Sequence, residues 1–320
     1  MTRRRLPLLI AGALAALCLL LMIALSGGGA RRDADIVVPS GASLTTAAET
    51  LEQAGAIRSA RALLLHARLF GPRAPIKPGE YRITKAMGAG DILRLLESGK
   101  VVQRFVVVPE GLPSILVQER LAAAPFLTGS APLPPEGSVL PDSYAYTRGE
   151  SREAVLKRMA AAMTRTLAKA WAARRPTTAV SSPHEAVILA SIVEKETGVP
   201  SERRMVAAVY TNRLKLGMPL QADPTLIYPV TKGRPLGRRI LRSEITGDTP
   251  YNTYTRRGLP PTPITNPGRA SIAAVLDPAD SKAIYFVAKG DGSSVFADTL
   301  TEHNANVAKW YELRRARGEM

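Results

Sequence analysis

Residues 6–25, LPLLIAGALAALCLLLMIAL, run without a single charged side chain. A helix rises about 1.5 Å per residue, so such a run reaches roughly 30 Å, the thickness of a bilayer's hydrocarbon core. Arg3, Arg4 and Arg5 precede it, and clustered arginines are retained on the cytoplasmic side. The sequence therefore predicts a cytoplasmic tip and transmembrane anchor in residues 1–30, with the remaining chain outside the cytoplasm. A cleaved signal peptide has a shorter apolar core, about 7–15 residues, although Gly27-Gly28-Gly29-Ala30 mimics a small-residue cleavage site. A lipoprotein needs a small residue before its cysteine, and Leu17 stands before Cys18.

Cys18 is the only cysteine, which removes disulfides, CxxC pairs and thiol nucleophiles from the body. His66, His184 and His303 lie far apart and make no metal-ligand spacing. His184-Glu185 lacks the second histidine of a zinc-protease helix. The net charge of +16 points to a polyanionic neighbour, such as lipid headgroups or an acidic wall polymer, or to charge spread over a solvated surface. Aromatic residues make up only 5% and never interleave with Lys/Arg runs, which argues against a nucleic-acid partner.

The body reads as α+β. Ile36-Val37-Val38-Pro39-Ser40-Gly41 is a short strand ended by a turn. Ser43 caps a helix that buries Ala47, Ala48 and Leu51 and stops at Gly55. A second helix over residues 59–69 turns Leu64, Leu65 and Leu69 inward, and Lys77-Pro78-Gly79-Glu80-Tyr81-Arg82-Ile83 is a turn followed by a strand. This βααβ order resembles a LysM-type module, a fold that recognises N-acetylated glycans; a spacer is the plainer alternative. The sequence thus divides into residues 1–30, a LysM-like subdomain over 31–103 and a larger α+β catalytic domain over 104–320. Gly and Pro are dense from Gly198 to Gly268, as in a loop-rich segment lining a binding site.

Ser182-Pro183-His184-Glu185 combines a cap, a first-turn proline and a capping-box acid. The helix that follows, AVILASIVEKET, is apolar almost all round and ends at Gly198, as a buried central helix would. Glu194 and Glu196 stand near its C-terminal end, where the helix dipole and burial both disfavour a carboxylate. A raised pKa is what a general acid working near neutral pH requires. Glu194 shares a stripe with Val187, Ala190 and Ser191, whereas Glu196 points roughly 200° away beside Ile188 and Ile192. Only one of them can enter a given cleft, and helical geometry leaves open which. Downstream, Gln221, Asp223, Thr225, Tyr251, Asn252 and Tyr254 are side chains of the kind that hydrogen-bond sugar hydroxyls and acetamido groups.

In chain order, Glu136-Gly137, Pro141-Asp142, Ala190-Ser191-Ile192-Val193-Glu194-Lys195-Glu196-Thr197, Val209-Tyr210-Thr211-Asn212-Arg213-Leu214, Gln221-Ala222-Asp223-Pro224-Thr225, Tyr251-Asn252-Thr253-Tyr254, Gly258-Leu259-Pro260-Pro261 and His303-Asn304 resemble the endolytic murein transglycosylases, the MltG or YceG-like family. That family often carries aromatic residues after its Glu-Gly, where this chain has Ser138-Val139-Leu140. The resemblance implies cleavage of the MurNAc–GlcNAc bond in nascent peptidoglycan glycan strands, with 1,6-anhydro ends and termination of strand growth. It implies Glu194 as the catalytic residue; Gln221, Asp223, Thr225, Tyr251, Asn252 and Tyr254 remain the substrate contacts expected from residue type, and no cofactor or metal is expected. It further implies a single pass through the inner membrane, a periplasmic body and peptidoglycan synthases as partners. A hydrolytic muramidase with Asp223 as second carboxylate and a non-catalytic wall-binding scaffold are the competing readings.

Overall fold

A computed structural model describes residues 11, 14–16, 22, 28–71 and 74–319. The proposed anchor, residues 6–25, lies almost wholly outside these residues, and no helix among the described residues is long and apolar enough to cross a membrane. The chain is α+β and divides into two units. The smaller ends at Arg104 and takes back Tyr146–Gly149; the larger comprises Phe105–Ala145 and Glu150–Met320.

In the smaller unit, β1 (Ala34–Val38) pairs antiparallel with β2 (Gly79–Ile83), in register from Ala34↔Ile83 to Val38↔Gly79. Between them run α1 (Leu44–Gln53) and α2 (Ala60–Phe70), and α3 (Ala89–Ser98) follows. Ser43 and Ser59 cap the first two by accepting the Thr46 and Ala62 N–H groups. Ala47, Ala48 and Leu51 are buried, as their spacing predicts. The second helix differs from its sequence reading. Ala60, Ala62 and Leu63 face the core, Leu64 and Leu65 are half-buried, and Leu69 is 51% exposed. The cap at Ser59 starts the helix in a phase that turns Leu63 inward, about one residue from the expected stripe. The buried Glu80 carboxylate is satisfied by the Arg104 guanidinium at 2.6 and 3.1 Å, the pairing that a buried charge requires.

The larger unit is built around α6 (Pro183–Glu196), on which Ala186 through Val193 are all buried. Such a helix must be wrapped on every side. It packs against α5 (Arg152–Ala172), α7 (Arg203–Lys215), α8 (Asp223–Thr231) and α10 (Arg269–Leu276). Ser182 accepts the Glu185 N–H at 3.1 Å, and Pro183 occupies the first turn. The Glu185 carboxylate closes one residue earlier than a capping box, accepting both the N–H and the hydroxyl of Ser181 at 2.7 Å.

The segment after Gly198 is less loop-like than its Gly and Pro content suggests. It holds α7, α8 and a short α9 (Arg242–Thr246), because the apolar run Val206–Tyr210 makes α7 a second buried helix. Real loops in this region are pinned by buried polar side chains. Ser191 accepts the Ile264 N–H at 3.0 Å. Asn266, fully buried, donates to Leu112 O and the Ser114 hydroxyl and accepts the Val139 N–H. Val139 and Leu140, just after Glu136-Gly137, are fully buried. Other elements are α4 (Ser114–Ala123) and the pair β3 (Arg104–Val107) with β4 (Ser143–Tyr146). The chain closes with the antiparallel hairpin β5 (Tyr285–Ala288) and β6 (Ser294–Ala297), then α11 (Leu300–Ala316) packed on both strands.

Candidate active site

The two glutamates at the end of α6 have different fates. Glu194 Oε2 accepts the backbone N–H of Gly268 at 2.8 Å, and Gly268 is the N-cap of α10. Its other oxygen lies 3.7 Å from the Arg203 guanidinium, which also stands 3.7 Å from Glu110. The Glu194 side chain is 5% exposed. A carboxylate over free N–H groups at a helix N-terminus is a favourable capping arrangement. Backbone approaches it closely at Gly111, where a Cβ would sit 3.4 Å from Glu194 Cγ, and a Cβ at Gly268 would collide with the neighbouring Glu110.

Glu196, the last residue of α6, lines a cavity of about 300 Å³ with Tyr210, Arg213, Gln221, Asp223, Tyr254 and His303. Removal from water pushes its carboxyl up to about 7. The Tyr210 hydroxyl, hydrogen-bonded to it, opposes that shift, Asp223 reinforces it, and Arg213 opposes it. The negative end of the α6 dipole acts in the same sense as burial. A carboxyl held half-protonated near neutrality is equipped both to give and to take a proton.

Of the residues read from sequence as sugar contacts, three reach this cavity: Gln221, Asp223 and Tyr254. The Tyr254 hydroxyl donates to Asp223 Oδ1 at 2.5 Å, and burial pushes its own pKa upward. Gln221 adopts φ +55, a left-handed conformation rare for a residue with a Cβ. Two bonds hold it there, Gln221 N–H to Thr253 O at 2.9 Å and Ala222 N–H to the Thr253 hydroxyl at 3.0 Å.

The other three lie behind that surface. Thr225 is fully buried, its hydroxyl donating to Ala222 O at 2.6 Å and meeting the Thr253 hydroxyl at 2.9 Å. Asn252 is 1% exposed; its amide donates to Ile245 O and Gly247 O, and its carbonyl accepts the Tyr254 N–H at 2.8 Å. Tyr251 bonds the Thr262 hydroxyl at 2.7 Å and packs against Tyr228. With their polar atoms already engaged, Thr225 and Asn252 shape the loops that present Gln221, Asp223 and Tyr254.

Tyr210, Arg213 and His303 also line the cavity and were not singled out as site residues by sequence reasoning, whereas Glu196 was one of its two candidate acids. Arg213, 8% exposed, donates to Ile284 O at 2.7 Å, Leu220 O at 2.8 Å and Gln221 Oε1 at 3.2 Å. His303 stacks on Tyr285 with centroids 4.9 Å apart, and burial, helped by Arg213, lowers its pKa. The available signal was the pair of motifs around Tyr210-Thr211-Asn212-Arg213 and His303-Asn304. No group of three or more His, Cys, Asp or Glu suited to a metal ion occurs among the described residues.

Residues 36–309 match the YceG-like family. This chain belongs to that family. It is similar to an endolytic murein transglycosylase of Bacillus subtilis (strain 168), 29% identical over 309 residues, covering 86% of this chain and 84% of the relative. It is also similar to an endolytic murein transglycosylase of Streptococcus pneumoniae, 25% identical over 321 residues, of which it spans 57%. Among solved structures it resembles a yceG-like protein from Listeria monocytogenes, with a TM-score of 0.53, 27% identity and coverage of 86% of this chain and 99% of that one.

The Glu196 carboxyl titrates higher folded than the ordinary 4.5, so the native state binds the extra proton. Its contribution to stability is complete below about 4.5 and is lost as pH rises through about 7. Glu196→Gln abolishes the titration. The stability of wild type minus that of the variant, from denaturant unfolding at a series of pH values, should fall between these limits. A flat difference would place Glu196 in water.

Proposed function

We propose that this chain is a membrane-tethered lytic transglycosylase of peptidoglycan and that Glu196 is its proton donor. The observation that carries the assignment is the company Glu196 keeps. The cavity-facing polar residues gather around it, while Glu194 is engaged by the α10 N-terminus and Arg203. The family resemblance implies Glu194 for this role, two residues earlier, and the Glu194→Gln variant below decides between the two.

Protonated Glu196 gives its proton to the glycosidic oxygen between MurNAc and GlcNAc as the MurNAc C1–O bond breaks and C1 gains oxocarbenium character. Asp223 supplies negative charge beside the developing cation. The GlcNAc leaves with a free 4-hydroxyl. The Glu196 carboxylate then removes the proton from the MurNAc C6 hydroxyl, whose oxygen attacks C1 and closes the 1,6-anhydro ring. Donor and acceptor are the same carboxyl, so it ends protonated and no water is consumed. The Tyr210 hydroxyl orients it throughout. A hydrolase would instead need a second carboxylate to activate water or attack C1, and Asp223 is the candidate.

Tethering through residues 6–25, retention in the inner membrane with a periplasmic body, glycan binding by the LysM-like βααβ unit, and action beside peptidoglycan synthases to end strand growth all belong to the same proposal. A body anchored at the bilayer reaches the strands nearest the membrane where they are made. The polar cavity and the resemblance to named transglycosylases favour catalysis over a scaffold.

Digestion of purified sacculi followed by mass spectrometry tests the chemistry. Wild type should yield anhydro ends, lighter by one water than hydrolytic products. Glu196→Gln should lower the rate at least about a hundredfold, and Glu194→Gln should lower thermal stability while keeping the product. Reducing ends only, or full activity in Glu196→Gln, would defeat the assignment. Cell fractionation tests the tether: a chain lacking residues 1–30 behind an exported leader should leave the membrane fraction, and its retention there would contradict anchoring by this segment.

A further inference from the structure

The segment from Lys232 to Arg242, KGRPLGRRILR, carries five basic side chains and no acid, with Leu236, Ile240 and Leu241 set between them. It joins α8 to α9 and contributes no residue to the cavity that holds Asp223 and Tyr254. Arg239 and Arg242 are exposed and have no acidic partner among the described residues. Beside them Leu241 is 51% and Ile245 37% exposed. The Ile245 N–H bonds Leu241 O at 3.2 Å, so the two apolar side chains stand one helical turn apart on the same side.

The backbone that presents them is braced at both ends. Lys232, at φ +54, ends α8, and Gly233 follows at φ +84. A Cβ at Gly233 would lie 2.7 Å from the Pro113 side chain, so only glycine fits both the angle and the approach. Arg234 pairs with Glu119 on α4. The Arg238 guanidinium donates to both Glu244 oxygens, at 2.9 and 2.5 Å, and the same carboxylate accepts the Leu241 N–H at 2.7 Å. The buried Asn252 amide then holds α9 from below, donating to Ile245 O at 2.9 Å and Gly247 O at 2.6 Å. Arg234 and Arg238 are thus spent on the segment itself, and Arg239 and Arg242 are offered outward.

We propose that this segment is a second membrane contact, resting on the surface of a bilayer that contains anionic lipid. Arg239 and Arg242 meet the phosphate headgroups, while Leu241 and Ile245 enter the boundary of the acyl region beneath them. Apolar tips among unpaired guanidiniums suit that interface, where cations stay at headgroup level and apolar side chains leave water. An acidic wall polymer would satisfy the arginines but leave Leu241 and Ile245 in water, so the apolar pair decides for lipid. The inference rests on the tether reading, which puts a bilayer within reach of this body, and is independent of which glutamate gives the proton. A body held at a second point turns one face to the bilayer instead of swinging about its anchor.

The test uses the full-length chain reconstituted in vesicles. Cys18→Ser removes the only cysteine, and Leu241→Cys then carries an environment-sensitive fluorophore at an exposed position. The vesicles are either phosphatidylcholine alone or an equal mixture with phosphatidylglycerol, each doped with a nitroxide-labelled lipid as quencher. Quenching should be at least about threefold stronger in the mixed vesicles and should fall toward the phosphatidylcholine value at high salt. Arg239→Gln combined with Arg242→Gln should lower the contact equilibrium about tenfold or more and leave the melting temperature unchanged. Quenching that is absent in both lipids, equal in both, or indifferent to the two substitutions would overturn the proposal. Flotation with pure phosphatidylcholine vesicles reports the anchor by itself. A chain that fails to float there would sink the tether reading, while the label on mixed vesicles would still report on the segment.

Discussion

Everything at the site depends on taking the Glu196 carboxyl out of water without neutralising it by an ion pair. The end of α6 provides this. A helix buried from Ala186 to Val193 carries its last turn to the edge of the core. There the carboxyl meets the Tyr210 hydroxyl from the equally buried α7. Arg213, three residues after Tyr210 on the same helix, is largely spent on backbone carbonyls of Leu220 and Ile284. It braces the cavity wall rather than forming a close pair with Glu196, which would have returned the carboxyl to ordinary acidity.

Glu194 shows the opposite use of the same residue type two positions away. Helical geometry turns it roughly 200° from Glu196, onto the side where α10 begins. Its carboxylate accepts from the Gly268 N–H and faces Arg203. One glutamate therefore fastens α10 to the central helix, and the other is offered to the cavity that this fastening helps to shape. Removing Glu194 would leave the Gly268 N–H without its acceptor, a loss of about 1–3 kcal/mol, and Arg203 with Glu110 alone. Loss of function in a Glu194 variant therefore has to be read alongside its stability.

Much of the architecture was legible in the sequence because it rests on local rules. Ser43 and Ser182 are caps where capping chemistry places them, and the all-round apolar helix is the buried centre. The inward face of α2 was misread by about one residue, since three consecutive leucines satisfy more than one helical phase. The segment after Gly198 hid three helices because its Gly and Pro sit between them rather than inside, apart from Pro224 and Pro229 in α8. At the site, polar residue types were found but not their depth. Thr225 and Asn252 look like sugar contacts by type, yet only tertiary packing reveals that their polar atoms are consumed by backbone and Thr253. Helical geometry alone left Glu194 and Glu196 open and the resemblance implied Glu194; what the structure adds is what lies opposite each side chain, Gly268 and Arg203 in one case and Asp223 with Tyr254 in the other.

The most direct measurement is the titration of the Glu196 side chain itself, by carbon-13 NMR of glutamate carboxyls with Glu196→Gln supplying the assignment. A carboxyl buried at the helix end beside Tyr210 and Asp223 should titrate with a midpoint of about 7. A midpoint at the ordinary 4.5 would mean that water reaches it freely, and the carboxyl proposed to donate the proton would already be ionised at neutral pH.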